Sequence, residues 1–190
     1  METVLLLEES RLHPRLRAAL CELGYDVVSE LHEIHRLHAE VTRLSPDVIM
    51  VTTDAPSEEM LVSLGAIAGS APRTVIIIAK DGTRDLIRRA VDSGVSAYVV
   101  DPSAAERLTP IIEAAIARFE AFEAMRKELA GTRAKLSERK LVEKAKGIVM
   151  QQRKLSEDQA YSALRKMAMD QNLALGEVAR RVIAVAQLLA

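Results

Sequence analysis

Short apolar runs at 4–7, 47–51, 74–78 and 96–100 constrain this chain more than any other feature. Val48, Ile49, Met50 and Val51, and then Val75, Ile76, Ile77 and Ile78, follow one another without a polar break. A run that is apolar at every position has no face to give to water, so it suits a strand covered on both sides of a parallel sheet. A weaker fifth run lies at 25–28. Between the runs are amphipathic stretches of helical length, at 11–22, 33–44, 57–69 and 83–92. Gly24 and Gly94 stop the first and fourth as C-terminal caps do, and Ser57 after Pro56 is an N-cap for the third. The pattern predicts an α/β domain with a doubly wound, five-stranded parallel sheet.

Beyond Pro102 the signal turns helical and stays so. Ser103 and Glu106 form a capping box, and no proline follows Pro110. Ala115, Phe122, Leu129 and Leu136 recur every seven residues, with Ile112 and Phe119 widening the seam early and Arg126, Arg133 and Lys140 in companion positions later. A long helix that ends as a thin coiled-coil seam is expected, with homodimerisation through 112–136 or a hairpin against another helix of the same chain. A small three-helix bundle should follow. Its first helix ends near Gln152, a second opens at a capping box from Ser156 to Gln159, and a third runs from about 175 to 189 with Val178, Val182, Val185 and Leu189 as its apolar stripe. The expected domains are 1–122, a coiled-coil linker at 104–140, and 137–190.

The charge is unevenly shared. Residues 1–125 hold 12 Lys+Arg against 20 Asp+Glu, formally −8, and residues 126–190 hold 14 against 7, formally +7. A basic half on a near-neutral chain points to a polyanion, or to no more than a solvated helical surface. No apolar run approaches the ~20 residues of a membrane span, and the amino terminus lacks a basic n-region, so a cytoplasmic protein is expected. The single cysteine, Cys21, fits a reducing compartment and reads as a small core residue. His32, His35 and His38 sit three apart without companion ligands, as on a solvated helix face. No nucleophile–base pair, phosphate loop, cofactor motif or metal set appears, so catalysis is not expected.

Over residues 2–122 the chain resembles the receiver domain of bacterial response regulators. Glu8 and Glu9 after the first strand, Pro56 beyond the third, and the stretch from Gly94 through Tyr98 to Asp101 and Pro102 carry the likeness. The resemblance implies a pocket with two metal-holding acids, a phosphoacceptor Asp, a hydroxyl and a Lys. Here the acceptor position is Thr52, the hydroxyl position is Ala79 and the Lys position is Asp101. Asp54 is acidic but two residues out of register. A Thr is a poor acyl-phosphate acceptor, and an Asp in place of the Lys reverses the neutralising charge. A pseudo-receiver is expected, controlled by a partner protein, with at most a weak Mg site at Glu8 and Glu9. Tyr98 occupies the family's aromatic switch position or is an ordinary strand Tyr.

A second resemblance covers residues 137–189. Glu143, Ala145, Lys146, Gly147 and Met150, then Ala160, Tyr161, Leu164, Arg165, Ala168 and Met169, with Glu177, Val178 and Ala179, look like the ANTAR domain of transcription antitermination regulators. With the receiver-like part, the chain resembles the nitrate-assimilation (NasT-type) or amidase antiterminators. The resemblance implies binding to paired stem-loops in nascent leader RNA, prevention of the terminator hairpin, and a ligand-sensing protein partner. Arg139, Lys140, Lys144, Lys146, Arg165 and Lys166 would supply cations, with Arg165 suited to bidentate contacts. Tyr161 would stack on an unpaired base or sit at the core edge. Ala145 and Gly147 would leave a shallow place for RNA or for a neighbouring helix. The alternative is a DNA-binding regulator reading duplex through a helix-turn-helix-like bundle. Against it, the last helix carries Arg180 and Arg181 in its middle rather than at its amino end.

Overall fold

The structure, a computed structural model, describes residues 1–10, 14–100 and 108–188. Its chain divides into two compact units, Met1–Glu123 and Ala124–Ala190.

In the first unit, β1 (Thr3–Glu8), β2 (Asp26–Leu31), β3 (Val48–Thr53), β4 (Thr74–Ala79) and β5 (Ala97–Val100) form one sheet in the order β2-β1-β3-β4-β5. All pairings are parallel. The sequence expectation of a doubly wound sheet is met, and the weak run at 25–28 proves to be the edge strand β2. Helices α1 (Leu16–Glu22), α2 (Leu37–Leu44), α3 (Glu58–Ser70) and α4 (Arg84–Asp92) cross between the strands. The first is shorter than the pattern suggested, because Pro14 lies in a turn before it. Part of the second stretch forms a 3-10 turn at Ile34–Arg36.

Side-chain alternation divides the unit into two cores. Leu5, Leu7, Ile49, Val51, Val75 and Ile77 pack with α2, α3 and Ala90 of α4. Val4, Leu6, Val48, Met50, Ile76 and Ile78 pack with Leu16 and Leu20 of α1 and with Leu108, Ile112 and Ala115. Both faces of β3 and β4 are buried along their whole length, which is why those strands contain no polar alternation. Ser57 caps α3, its Oγ accepting from Met60 N–H at 3.1 Å. Gly94 takes a left-handed φ of +88°, and a Cβ there would meet Ala68 Cβ at 2.7 Å, so this turn tolerates only glycine. Asp47 ties the entrance of β3 to β1: its Oδ2 accepts from Thr3 N–H at 2.9 Å and Thr3 Oγ1–H at 2.7 Å. These bonds hold its carboxyl below the usual range.

Helix α5 runs unbroken over Leu108–Arg153 and is followed by α6 (Glu157–Asp170) and α7 (Leu175–Leu188). The capping box at Ser103 and the acid at Asp101 lie outside the described residues. Along α5, Phe122, Met125, Leu129 and Leu136 are all more than half exposed.

Candidate nucleic-acid interface

The second unit is built on a small core. Val142, Ala145 and Val149 of α5 meet Ala160, Leu164 and Ala168 of α6 and Val178, Ala179 and Ile183 of α7. The buried face of α7 is rotated from the expected stripe. Val178 is buried and Val182 partly so, but Val185 is 54% exposed, while Ala179 and Ile183 take the inner positions. Leu189 is outside the described residues. Valines dominated the sequence pattern, but close approach in so thin a bundle favours alanine.

Local signals hold the helix ends. Lys154 (φ 51°) and Asn172 (φ 53°) adopt left-handed conformations in the turns after α5 and α6. The capping box at α6 is present: Ser156 Oγ accepts from Gln159 N–H at 3.4 Å and Gln159 Oε1 accepts from Ser156 N–H at 3.0 Å. At α7 the cap comes from a distant residue that sequence reasoning did not single out. Gly176 N–H donates to Glu138 Oε1 of α5 at 3.3 Å. A Cβ on Gly176 would lie 2.8 Å from Glu138 Cγ, so glycine is what admits this carboxylate to the helix N-terminus.

The candidate RNA residues separate into two groups. Arg139, Lys140, Lys144, Arg165 and Lys166 are exposed and, among the described residues, have no hydrogen-bond or ion-pair partner. Tyr161 is 44% exposed and its hydroxyl is likewise unengaged. Gly147 is only partly covered, and a Cβ built on it would meet nothing within 4 Å. Helix packing therefore does not require this glycine, and its backbone borders open space. Ala145, by contrast, has no exposed surface and belongs to the core.

Lys146 also stands apart. Its side chain is 11% exposed, with Nζ 2.6 Å from Glu143 Oε2 and 2.7 Å from Glu157 Oε1. The hydrogen bond to Glu143, followed by that to Glu157, raises its affinity for its proton, and the same contact lowers the Glu157 carboxyl. Arg139 lies two turns earlier on this stripe of α5 but is uncovered. The sequence placed both cations on one face; only the bundle distinguishes them.

The helix-turn-helix alternative finds little purchase. Arg181 is turned toward Gln171 and Glu177, and the amino end of α7 is occupied by the Glu138 carboxylate.

In the first unit, several of the described positions of a receiver's phosphorylation pocket are hydrogen-bonded within the chain. Thr52 is fully buried and its Oγ1–H donates to Ser10 O at 3.2 Å. Thr53 Oγ1–H donates to Glu9 Oε2 at 3.2 Å. Burial, with Glu30 beside it, raises the Glu8 carboxyl above the usual range. No group of three metal-ligating side chains occurs among the described residues. Ala79 is buried and offers no hydroxyl. Asp54 is exposed and paired with Lys80 at 2.7 Å, while its carbonyl accepts from Lys80 N–H and Asp81 N–H. Tyr98 is half-buried, its hydroxyl donating to Asp81 O at 2.6 Å. Each of the three histidines has a separate partner: Glu8 O for His32, Glu33 for His35 and Ser70 for His38. Cys21 is exposed rather than a core residue. No described helix is long and apolar enough to cross a membrane.

The family model of the ANTAR domain matches residues 130–183. The chain is 30% identical over 176 residues to the transcriptional regulatory protein PdtaR of Mycobacterium tuberculosis, covering 93% of this chain and 86% of that one. It is 48% identical over 58 residues to the nitrate regulatory protein of Klebsiella oxytoca, covering 30% of this chain and 15% of that one. Among solved structures, the signal receiver domain of a modulated diguanylate cyclase from Desulfovibrio desulfuricans G20 is similar, at 25% identity and a TM-score of 0.56. That match covers 64% of this chain and 98% of the other.

Proposed function

The chain belongs to the family of response-regulator-type transcriptional regulators that carry an ANTAR domain, and on that premise we propose that it is an antitermination regulator. It binds stem-loops in nascent leader RNA and stabilises a fold that excludes the terminator hairpin. The observation that carries this is that Lys140, Lys144, Arg165 and Lys166 are exposed and unpartnered among the described residues, on the two helices that also bear the open backbone at Gly147 and the exposed ring of Tyr161. RNA loops present what such a surface takes: unpaired bases to stack and phosphates to neutralise, whereas A-form duplex hides its base edges in a narrow groove. The work is binding, in the cytoplasm where transcripts are made, and uses no cofactor.

The assignment by region is 1–122 as pseudo-receiver, 104–140 as linker helix and 137–190 as RNA-binding domain. A regulatory sensor protein would act on the pseudo-receiver or the linker, a reading supported by the buried Thr52 at the acceptor position and the pairing of Asp54 with Lys80. Homodimerisation would use the seam at Phe122, Met125, Leu129 and Leu136. In a parallel pair, Glu128 of one copy faces Arg133 of the other, and beyond Leu136 the like charges of Lys135 and Lys140 end the attraction. Two RNA-binding domains on one dimer would hold two stem-loops at once, which raises affinity without new contacts.

The test is a salt-series titration of the full chain with a two-stem-loop leader RNA, a single stem-loop and duplex DNA. Preference for the paired stem-loops is expected, lost in a Leu129→Lys/Leu136→Lys variant that sediments as a monomer. Equal and steeply salt-dependent binding to all three nucleic acids would reduce the basic half to an electrostatic surface.

A further inference from the structure

The Lys146 clasp has a chemistry opposite to that of a nucleic-acid contact. One ammonium lies between two carboxylates, at 2.6 Å from Glu143 and 2.7 Å from Glu157, so the group as a whole carries a net negative charge. A phosphate arriving there meets Glu143 and Glu157, both more than half exposed, before it meets the ammonium, whose side chain is 11% exposed. Taking Lys146 for RNA would break two short charge-assisted bonds and leave both acids facing the phosphates. A few residues away, Lys144 and Arg165 are exposed and unpartnered.

The clasp sits where it sets an angle. Glu157 is the first residue of α6, directly after the Ser156 cap, and Glu143 and Lys146 are one turn apart on α5. The connection between these helices is short and contains the left-handed Lys154. Glu157, Tyr161 and Arg165 are successive i, i+4 positions, so one stripe of α6 begins at the clasp and carries the stacking ring and the fork-shaped cation. Glu143 and Gly147 are likewise i, i+4 on α5. Fastening Glu157 to Glu143 through Lys146 therefore holds the amino end of that α6 stripe on α5.

We propose that Lys146 is a positioning residue: it holds the first turn of α6 on α5 and so sets where Tyr161 and Arg165 stand, while Lys144 and Arg165 meet the RNA. This rests on the RNA-binding reading above.

The experiment uses the full chain and a two-stem-loop RNA enriched on it from a pool with randomised loops, titrated across a potassium chloride series. Lys146→Met is expected to weaken binding at least tenfold with helix content unchanged by circular dichroism. Adding Glu143→Gln and Glu157→Gln to it removes the stranded acids but leaves the helices unclasped, so affinity is expected to stay at least tenfold below the parent's. Recovery to the parent's affinity would trace the loss to the stranded acids and overturn the inference. In both variants the slope of log K against log salt should equal the parent's, whereas Lys144→Ala and Arg165→Ala should each lower it by about one. A triple variant that stays weak, with its slope lowered by about one, would show Lys146 to be a direct phosphate contact and overturn the inference. Unfolding of Lys146→Met alone leaves the triple variant to decide. If no RNA is enriched from the pool, the RNA-binding reading itself fails and this inference with it.

Discussion

The two units treat their charged side chains in opposite ways. In the receiver-like unit, described side chains about the phosphorylation pocket are bonded within the chain: Thr53 with Glu9, Thr52 with a backbone carbonyl, Asp54 with Lys80. In the C-terminal unit, Lys140, Lys144, Arg165 and Lys166 are left without partners among the described residues, while Lys146 is enclosed by two carboxylates. Both regions carry residues that a motif would single out. The difference teaches that pairing, rather than residue type, marks where a ligand can still be bound. A group whose hydrogen bonds are made inside the chain offers little to a partner, because every new contact must first break an old one.

That contrast can be broken most forcefully on its open side. Replacing Lys144 and Arg165 together by Ala should cost about 2–6 kcal/mol of RNA binding if each contact contributes the usual ~1–3 kcal/mol. Thermal stability should be nearly unchanged, as neither side chain is paired. Equilibrium titration beside a melting curve checks both halves of the expectation.

Leu164→Ala should lower the stability of the C-terminal unit by about 2–5 kcal/mol, since it removes a fully buried side chain from a core of nine buried residues. So small a core has little reserve. Proteolysis should cut within 137–188 while the receiver-like unit stays intact, and cleavage elsewhere would contradict the division into two cores.

A smaller loss is expected for Glu138→Ala, which strips α7 of its cap. By analogy with other N-caps it should amount to about 0.5–2 kcal/mol, read as a lower midpoint in a denaturant titration of the C-terminal unit. Gly176→Ala should destabilise through the same contact, from the other side.

On the closed side, Asp47 gives a mild pH dependence. Its carboxyl is depressed in the folded chain by bonds from Thr3, so the stabilisation is present above the unfolded value and is lost as pH falls through the folded one. Parent and Asp47→Asn stability curves should differ at neutral pH and converge below about pH 4, the usual range of an aspartate. The smallest effect is none: incubation with acetyl phosphate and magnesium should add no phosphoryl mass, because Thr52 is buried and Asp54 is out of register and paired.

Much of this was legible beforehand because the signals are local. Unbroken β-branched runs fix strands whatever their neighbours, and Ser57 and Ser156 cap helices through bonds only three residues long. The edge strand was faint because it is only half covered and so needs fewer apolar residues. The face of α7 was misread for a different reason. Alanine is apolar enough for a core yet common on surfaces, so Ala179 could not compete with Val185 until the spacing between helices was known. Cys21 likewise sits in an amphipathic helix whose exposed side only the packing of α1 reveals.

What this sequence determined by itself was composition at fixed spacing: five strands, a long helix, two short helices that complete a bundle with its end, and a basic half with the ANTAR motif. What the tertiary structure decided was which of those motif residues remain available. Lys146 and Lys144 are two positions apart and chemically identical, yet one is enclosed by Glu143 and a residue eleven positions away, and the other is bare. Glu138 acquires its role only by meeting Gly176, 38 positions on. Such pairings depend on how helices cross, and a crossing is set by the whole packed core rather than by any one stretch of chain.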